Sequence, residues 1–308
     1  MIFCFLARLR RVMWGALLCV ASLSAQAGGK LLVVYPDVGE PFRDVFEQIT
    51  QGIESRATVW RLKLRDGDDH GVLTRAVAER RPDAIVALGQ RTVKTVTALG
   101  FSVPVVAGAI LSLPEQGNGK APVAGISLAP DPALLFARLR ALAPQARQVS
   151  VVYNPAQNEW LIRLAREAAP AHGLELVAYP VSGVKEAVIR YRDIFSRIQG
   201  TQHAVWMLMD GYAAEESTVL PLVLEQAWQQ QVVLFASNLG HVQRGALFCL
   251  FPDHRRLGSR LGEMSGTQHA VGLAPLQDVR FAVNRRTASH LRIEIGRESA
   301  IDLVFPAP

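Results

Sequence analysis

At six places in this sequence a polar, aromatic or turn-forming group stands directly behind a short apolar run: Tyr35-Pro36-Asp37, Gly89-Gln90-Arg91, Ala109-Ile110, Tyr153-Asn154-Pro155, Asp210-Gly211-Tyr212 and Ser237-Asn238. Such residues suit non-covalent recognition of a small solute. Arg91 can grip a carboxylate through two parallel N–H bonds, or it can simply begin a helix in solvent. Asp210 can hold an amine or cap the helix that follows. Tyr35 and Tyr153 can stack on a planar solute or fill the interior. Asn154, Asn158 and Asn238 offer amides, although asparagines also shape turns. Tyr35, Asp37, Gly89, Gln90, Arg91, Tyr153, Asn154, Asn158, Asp210, Tyr212, Ser237 and Asn238 therefore form the candidate ligand set. The turns at Gly89 and Asp210 precede helical patterns, whose first backbone N–H groups are suited to an anion.

Chemistry that breaks bonds finds little support. The sequence contains no G-x-S-x-G, H-E-x-x-H or G-x-x-x-x-G-K-[ST] motif and no G-x-G-x-x-G after a strand. The seven histidines are dispersed, and His241 and His254 near Asp253 do not make a metal site. No catalytic residue, metal or cofactor is expected. Cys249 lies in the apolar run Ala246–Phe251 with no base or cation beside it in sequence, which predicts a buried, inert thiol.

The elements that must position these residues alternate. Leu31–Tyr35, Val59–Leu64, Asp83–Leu88 and Val103–Ala107 read as strands, with helices predicted over 40–57, 72–81 and 92–99. The pattern then restarts. Val151-Val152-Tyr153-Asn154-Pro155 repeats the Val-Val-Tyr-turn of Val33–Pro36, and His203–Asp210 repeats 83–90 at nearly the same offset. Helices are predicted over 158–171, 185–198 and 218–230, with strands at Leu174–Tyr179 and Val232–Asn238. Strands alternating with helices mean βαβ units and parallel sheets. Two such runs predict an α/β protein of two doubly wound parallel-sheet lobes, whose strand ends and loops face one cleft.

Composition agrees with a globular chain: 308 residues, 50% hydrophobic, with 24 Gly and 17 Pro. The formal charge of +6 includes Arg8, Arg10 and Arg11, and without a Lys/Arg block it does not argue for nucleic acid. Residues 1–27 read as a cleaved signal peptide: a basic start, an uncharged stretch from Val12 to Leu23, and Ala25-Gln26-Ala27 before the cut. The apolar stretch is shorter than the ~20 residues of a membrane span. Cys4 and Cys19 would leave with it, and a periplasmic location is expected.

The chain resembles the solute-binding proteins of ABC transporters, in the branch related to tryptophan and tyrosine uptake. The likeness is carried by Ala87-Leu88-Gly89, Pro104-Val105-Val106, Val123–Ser127, Val151–Pro155, Phe235–Asn238, Arg244–Leu247, Gly258-Arg260-Leu261-Gly262 and Val283-Asn284-Thr287-Ala288. The resemblance implies a type I periplasmic-binding fold, with lobes joined by a three-crossing hinge near Ile126, Gly245 and Gln277. It divides the chain into lobe 1 over 28–126 plus 246–276 and lobe 2 over 127–245 plus 277–308. It also implies a monomer that captures a small solute, amino-acid-like or a carboxylate, and delivers it to an ABC permease in the inner membrane. A periplasmic sensor, or an accessory to an outer-membrane uptake system, is the alternative. The sequence departs from the family pattern at Gln90-Arg91, at Ala109–Ser112 and at Lys120–Gly125.

Overall fold

A computed structural model of the chain describes residues 29–65, 67, 70–113, 123–266, 271–296 and 300–306. The predicted signal peptide, with Cys4 and Cys19, lies outside the described residues. Lobe 1 is built on strands β1 (Lys30–Pro36), β2 (Thr58–Leu64), β3 (Ala84–Leu88), β4 (Val105–Ile110), β5 (Val123–Pro130) and β11 (Gly272–Leu276). They form one sheet in the order β11-β5-β4-β3-β1-β2, and the pairings are parallel. Parallel strands covered on both faces are continuously apolar, which is why Ala84–Leu88 carries no polar residue and is buried throughout.

Alternation along β1 separates the two faces. Leu31, Val33 and Tyr35 pack with Ile49 and Ile53 of α1 (Phe42–Glu54) and with Leu257 and Leu261 of α9 (His254–Met264). Leu32 and Val34 pack on the other face with Leu73 of α2 (His70–Arg80) and with Val93 and Val96 of α3 (Gln90–Leu99). Helices α1 and α9 approach closely through glycine. A Cβ on Gly258 would lie 1.9 Å from the Ile49 carbonyl oxygen, and one on Gly52 would lie 2.1 Å from that of Arg255.

Lobe 2 contains β6 (Gln148–Tyr153), β7 (Glu175–Pro180), β8 (His203–Met207), β9 (Val233–Ala236), β10 (Phe248–Pro252), β12 (Val279–Asn284) and β13 (Leu303–Phe305). Their order is β13-β12-β10-β9-β8-β6-β7, with β12 antiparallel to β10. Helices α4 (Pro132–Leu142) and α5 (Pro155–Ala168) cover one face, and α6 (Val184–Phe195) and α7 (Val219–Gln229) the other. Two short helices, α8 (Leu239–Arg244) and α10 (Arg285–His290), complete the lobe. The run β2-β1-β3-β4-β5 is repeated as β7-β6-β8-β9-β10, so the Val-Val-Tyr echo marks equivalent strands.

The expected lobe division needs correction at two crossings. Residues 246–276 do not all belong to lobe 1, because β10 pairs with β9 and β12 of the second sheet. Phe248 explains this placement: its ring stacks on Phe235 at 5.2 Å and meets the edge of Phe281 at 6.2 Å. The chain crosses at Asp253, not near Gly245. The first crossing likewise comes at Asp131, after β5 ends, not at Ile126.

The three connectors bond to one another. Asp131 N donates to the Leu276 carbonyl at 2.9 Å, and Asp253 N donates to that of Asp278 at 2.9 Å. Gln277 donates its side-chain amide to Asp131. Asp278, only 7% exposed, accepts from both Nε (2.6 Å) and Nη2 (3.2 Å) of Arg260. Cys249 is fully buried, and burial pushes its thiol pKa up to about 12.

Candidate functional site

A cavity of about 520 Å³ opens where the lobes face each other. It is lined by Leu111 from lobe 1 and by Gln157, Leu208, Met209, Asp210, Gly211, Ala214, Glu215, Glu216, Asn238 and His241 from lobe 2. The volume suits a small organic molecule.

Local backbone geometry places Leu111. The β4–β5 register shifts between Ala107 and Ile110, and Ala109 takes the left-handed region with φ 54°, uncommon for a residue with a Cβ. Buried Ser127 fixes the result: its hydroxyl lies 3.2 Å and 3.0 Å from the carbonyl oxygens of Ile110 and Leu111, and its oxygen accepts from Ala129 N at 3.0 Å.

The lobe-2 wall is organised by Asp210, which is 7% exposed. Its Oδ2 accepts from Asn154 N and Asn158 Nδ2, each at 2.7 Å. Its Oδ1 accepts from Tyr212 N and Ala213 N, each at 2.9 Å. Four donors occupy the carboxylate's acceptor capacity, so Asp210 holds its own turn and does not grip a ligand amine. Tyr191 supports the turn from behind by donating to the Ala213 carbonyl at 2.9 Å. Glu215 is engaged in the same way, accepting from the N–H groups of Ser217 and Thr218 and from the Ser217 hydroxyl. The Ser217 hydroxyl and these amides hold its carboxyl down to about 2.

Two groups on this wall keep unused capacity. Glu216 is exposed, and its carboxylate has no partner among the described residues. His241 is 3% exposed, and its Nδ1 is buried with no hydrogen bond. Burial, then the nearby Arg244 charge, lowers its pKa to about 4, so the ring is neutral near pH 7.

Of the candidate set, Asp210 and Asn238 line this cavity. Asn154 and Asn158 stand behind it as donors to Asp210, and Tyr212 is 40% exposed beside that turn. Others are placed elsewhere. Tyr153 is 2% exposed within the lobe-2 core. Its hydroxyl donates to Glu159 at 2.7 Å, so its ring packs and does not stack on a solute. Tyr35 likewise packs, stacked on Phe46 at 6.0 Å. Ser237 is buried and accepts from Trp206 Nε1 at 3.1 Å. Asp37 pairs with Arg65 at 3.4 Å.

Gly89, Gln90 and Arg91 stand at the start of α3, outside this cavity. Gly89 precedes the helix at φ 87° with no side-chain cap. Arg91 donates to the Arg65 carbonyl at 3.3 Å and borders a separate cavity of about 20 Å³ with Pro36, Leu64, Arg65, Leu73, Thr92 and Thr95. The cavity residues absent from the candidate set are Leu111, Gln157, Leu208, Met209, Gly211, Ala214, Glu215, Glu216 and His241. Leu208 and Met209, which continue the β8 run to Asp210, carried the nearest signal.

Two doubly wound lobes, three bonded connectors and a cavity at the lobe interface define a two-lobed binding protein of the type I periplasmic fold. The chain belongs to the ABC transporter substrate binding protein family, whose profile it matches over residues 50–298. It is 26% identical over 166 residues to a tyrosine-binding protein of Clostridioides difficile, covering 53% of this chain. That alignment spans 45% of the relative, so the chain matches less than half of the relative's length. Its fold is similar to a Streptococcus pneumoniae ABC domain solved with L-Trp: TM-score 0.58 and 17% identity, covering 90% of this chain and 99% of that one. An open, ligand-free substrate binding protein with adhesive properties from Clostridium difficile gives TM-score 0.61 and 18% identity over the same shares.

Proposed function

We propose that this protein is the substrate-binding component of an ABC importer, capturing a small solute of amino-acid size between its lobes. The observation that carries this reading is the cavity of about 520 Å³ at the lobe interface, in a chain whose family match spans most of its length. Solute bridging Leu111 and the lobe-2 wall stabilises the closed arrangement by its differential affinity for closed over open. The liganded monomer then docks on an inner-membrane permease and releases the solute. The protein binds without turning its ligand over, and it works outside the cytoplasm after removal of residues 1–27. Among the described residues no helix is long and apolar enough to cross a membrane.

Thermal unfolding against panels of amino acids, amines, carboxylates and sugars tests this reading. A true ligand at a hundred times its dissociation constant adds about 2.7 kcal/mol, and Gln157→Ala reduces that gain. No stabilisation by any solute class contradicts capture of a small molecule.

A further inference from the structure

Resting on that reading of the cavity, we infer that Leu111 is the residue that sets the size of solute the protein accepts. Among the described residues lining the cavity, it is the one that lobe 1 supplies, with Leu208, Met209 and Ala214 on the lobe-2 side. An apolar body seated on that wall meets Leu111 when the lobes close. A body too short leaves a void under the side chain, and one too long holds the lobes apart. Both lose affinity, and a hydrophobic pocket discriminates between bodies that differ by single carbon groups in this way.

Leu111 can act as a stop because its backbone is held at both ends. Ala109 keeps a left-handed φ of 54°, which costs energy in a residue with a Cβ, and the β4–β5 register shifts across it. A loop that merely joins two strands needs neither. The hydroxyl of fully buried Ser127 reaches the Leu111 carbonyl oxygen at 3.0 Å, while its oxygen accepts from Ala129 N at 3.0 Å. The same strand continues through Pro130, which pairs with Leu276 of β11, to Asp131. There the Asp131 N–H donates to the Leu276 carbonyl, and its carboxylate accepts from Gln277 and, at 2.8 Å, from Ala133 N of α4 in lobe 2. A continuous series of bonds thus joins Leu111 to the first and third connectors. The depth Leu111 reaches is set by closure of the hinge and not by bending of its own loop.

A graded series of probes reads the size preference. The protein is titrated calorimetrically with alanine, valine, leucine, phenylalanine and tryptophan, which share one head group and differ in the apolar body. Leu111 is half-buried, so its variants are expected to fold and to melt like the parent when free. Leu111→Ala is expected to raise the affinity ratio of the larger members to the smaller about tenfold, and Leu111→Phe to lower it about tenfold. Damage to the fold weakens every member together and cannot move that ratio in opposite directions. A ratio unmoved by both variants overturns the inference while leaving solute capture intact. Binding of none of the five to the parent chain also overturns it, and the wider thermal panel then judges capture by itself.

Discussion

The turn after β3 in lobe 1 and the turn after β8 in lobe 2 occupy the same place in a repeated strand order, yet they are closed by opposite means. In lobe 1 the chain turns through Gly89 at φ 87° and leaves the start of α3 without a side-chain cap. In lobe 2 the buried Asp210 carboxylate takes four donors from α5 and from its own turn. One solution relies on a backbone conformation open to glycine, the other on a charge held by hydrogen bonds. The consequence is chemical. Lobe 1 keeps an uncapped helix start beside Arg91, whereas lobe 2 commits the Tyr212 and Ala213 amides to Asp210 and faces the cavity with acids and a neutral histidine. Similar folds thus give the cleft one acidic wall and one wall represented by an apolar Leu111.

Substituting the two turns breaks the comparison most sharply. Asp210→Ala leaves four donors, two of them on Asn154 and buried Asn158, without their acceptor. About 3–5 kcal/mol of stability is expected to be lost in denaturant titration. Arg91→Ala, on the exposed lobe-1 counterpart, is expected to change stability by less than about 0.5 kcal/mol. Equal effects would mean that Asp210 does not organise its wall.

The next effect concerns acid. His241 holds its proton only below about pH 4 in the folded chain, against about 6.5 when unfolded. Between those values the unfolded chain binds a proton that the folded chain refuses, so stability falls as pH drops through that window. The loss attributable to this residue approaches about 3 kcal/mol at its acid end. His254 at the hinge shifts in the same direction, mainly through burial, so the measured quantity is the difference between the protein and His241→Gln across the pH series. An acid loss unchanged by His241→Gln contradicts the account.

A smaller effect is expected where the lobes join. Arg260→Ala removes both hydrogen bonds from nearly buried Asp278 while leaving Arg256 at 3.5 Å. A loss of about 1–2 kcal/mol follows, with a matching change in the fit of the lobes. Unaltered unfolding and an unaltered solution scattering curve would show that this ion pair does not bind the connectors together.

Much of the fold was legible because its period is strong. Apolar runs such as Ala84–Leu88 and Val232–Ala236 admit little but buried parallel strands, and the Val-Val-Tyr restart marks the second lobe. The place of β10 was not legible, since Phe248–Phe251 is equally apolar for either sheet and only its ring contacts with Phe235 and Phe281 decide. At the site, Asp210 and Asn238 announced themselves as polar residues after strands. Which role Asp210 plays depends on donors far away in sequence, at Asn154 and Asn158. Glu215 and Glu216 stand in no motif or hydrophobic period that would single them out, and His241 carried no local signal because burial and an absent partner are three-dimensional facts. Leu111 reaches the cavity through the Ala109 backbone and the Ser127 bonds, neither of which follows from residue type.

The central claim is that lobe 1 closes over a solute seated on the lobe-2 wall. Small-angle scattering of the protein, free and saturated with its tightest calorimetric ligand, tests that claim most directly. The account predicts a smaller radius of gyration in the saturated sample, reversed when the ligand is dialysed away. Full calorimetric saturation with superimposable scattering curves would contradict it.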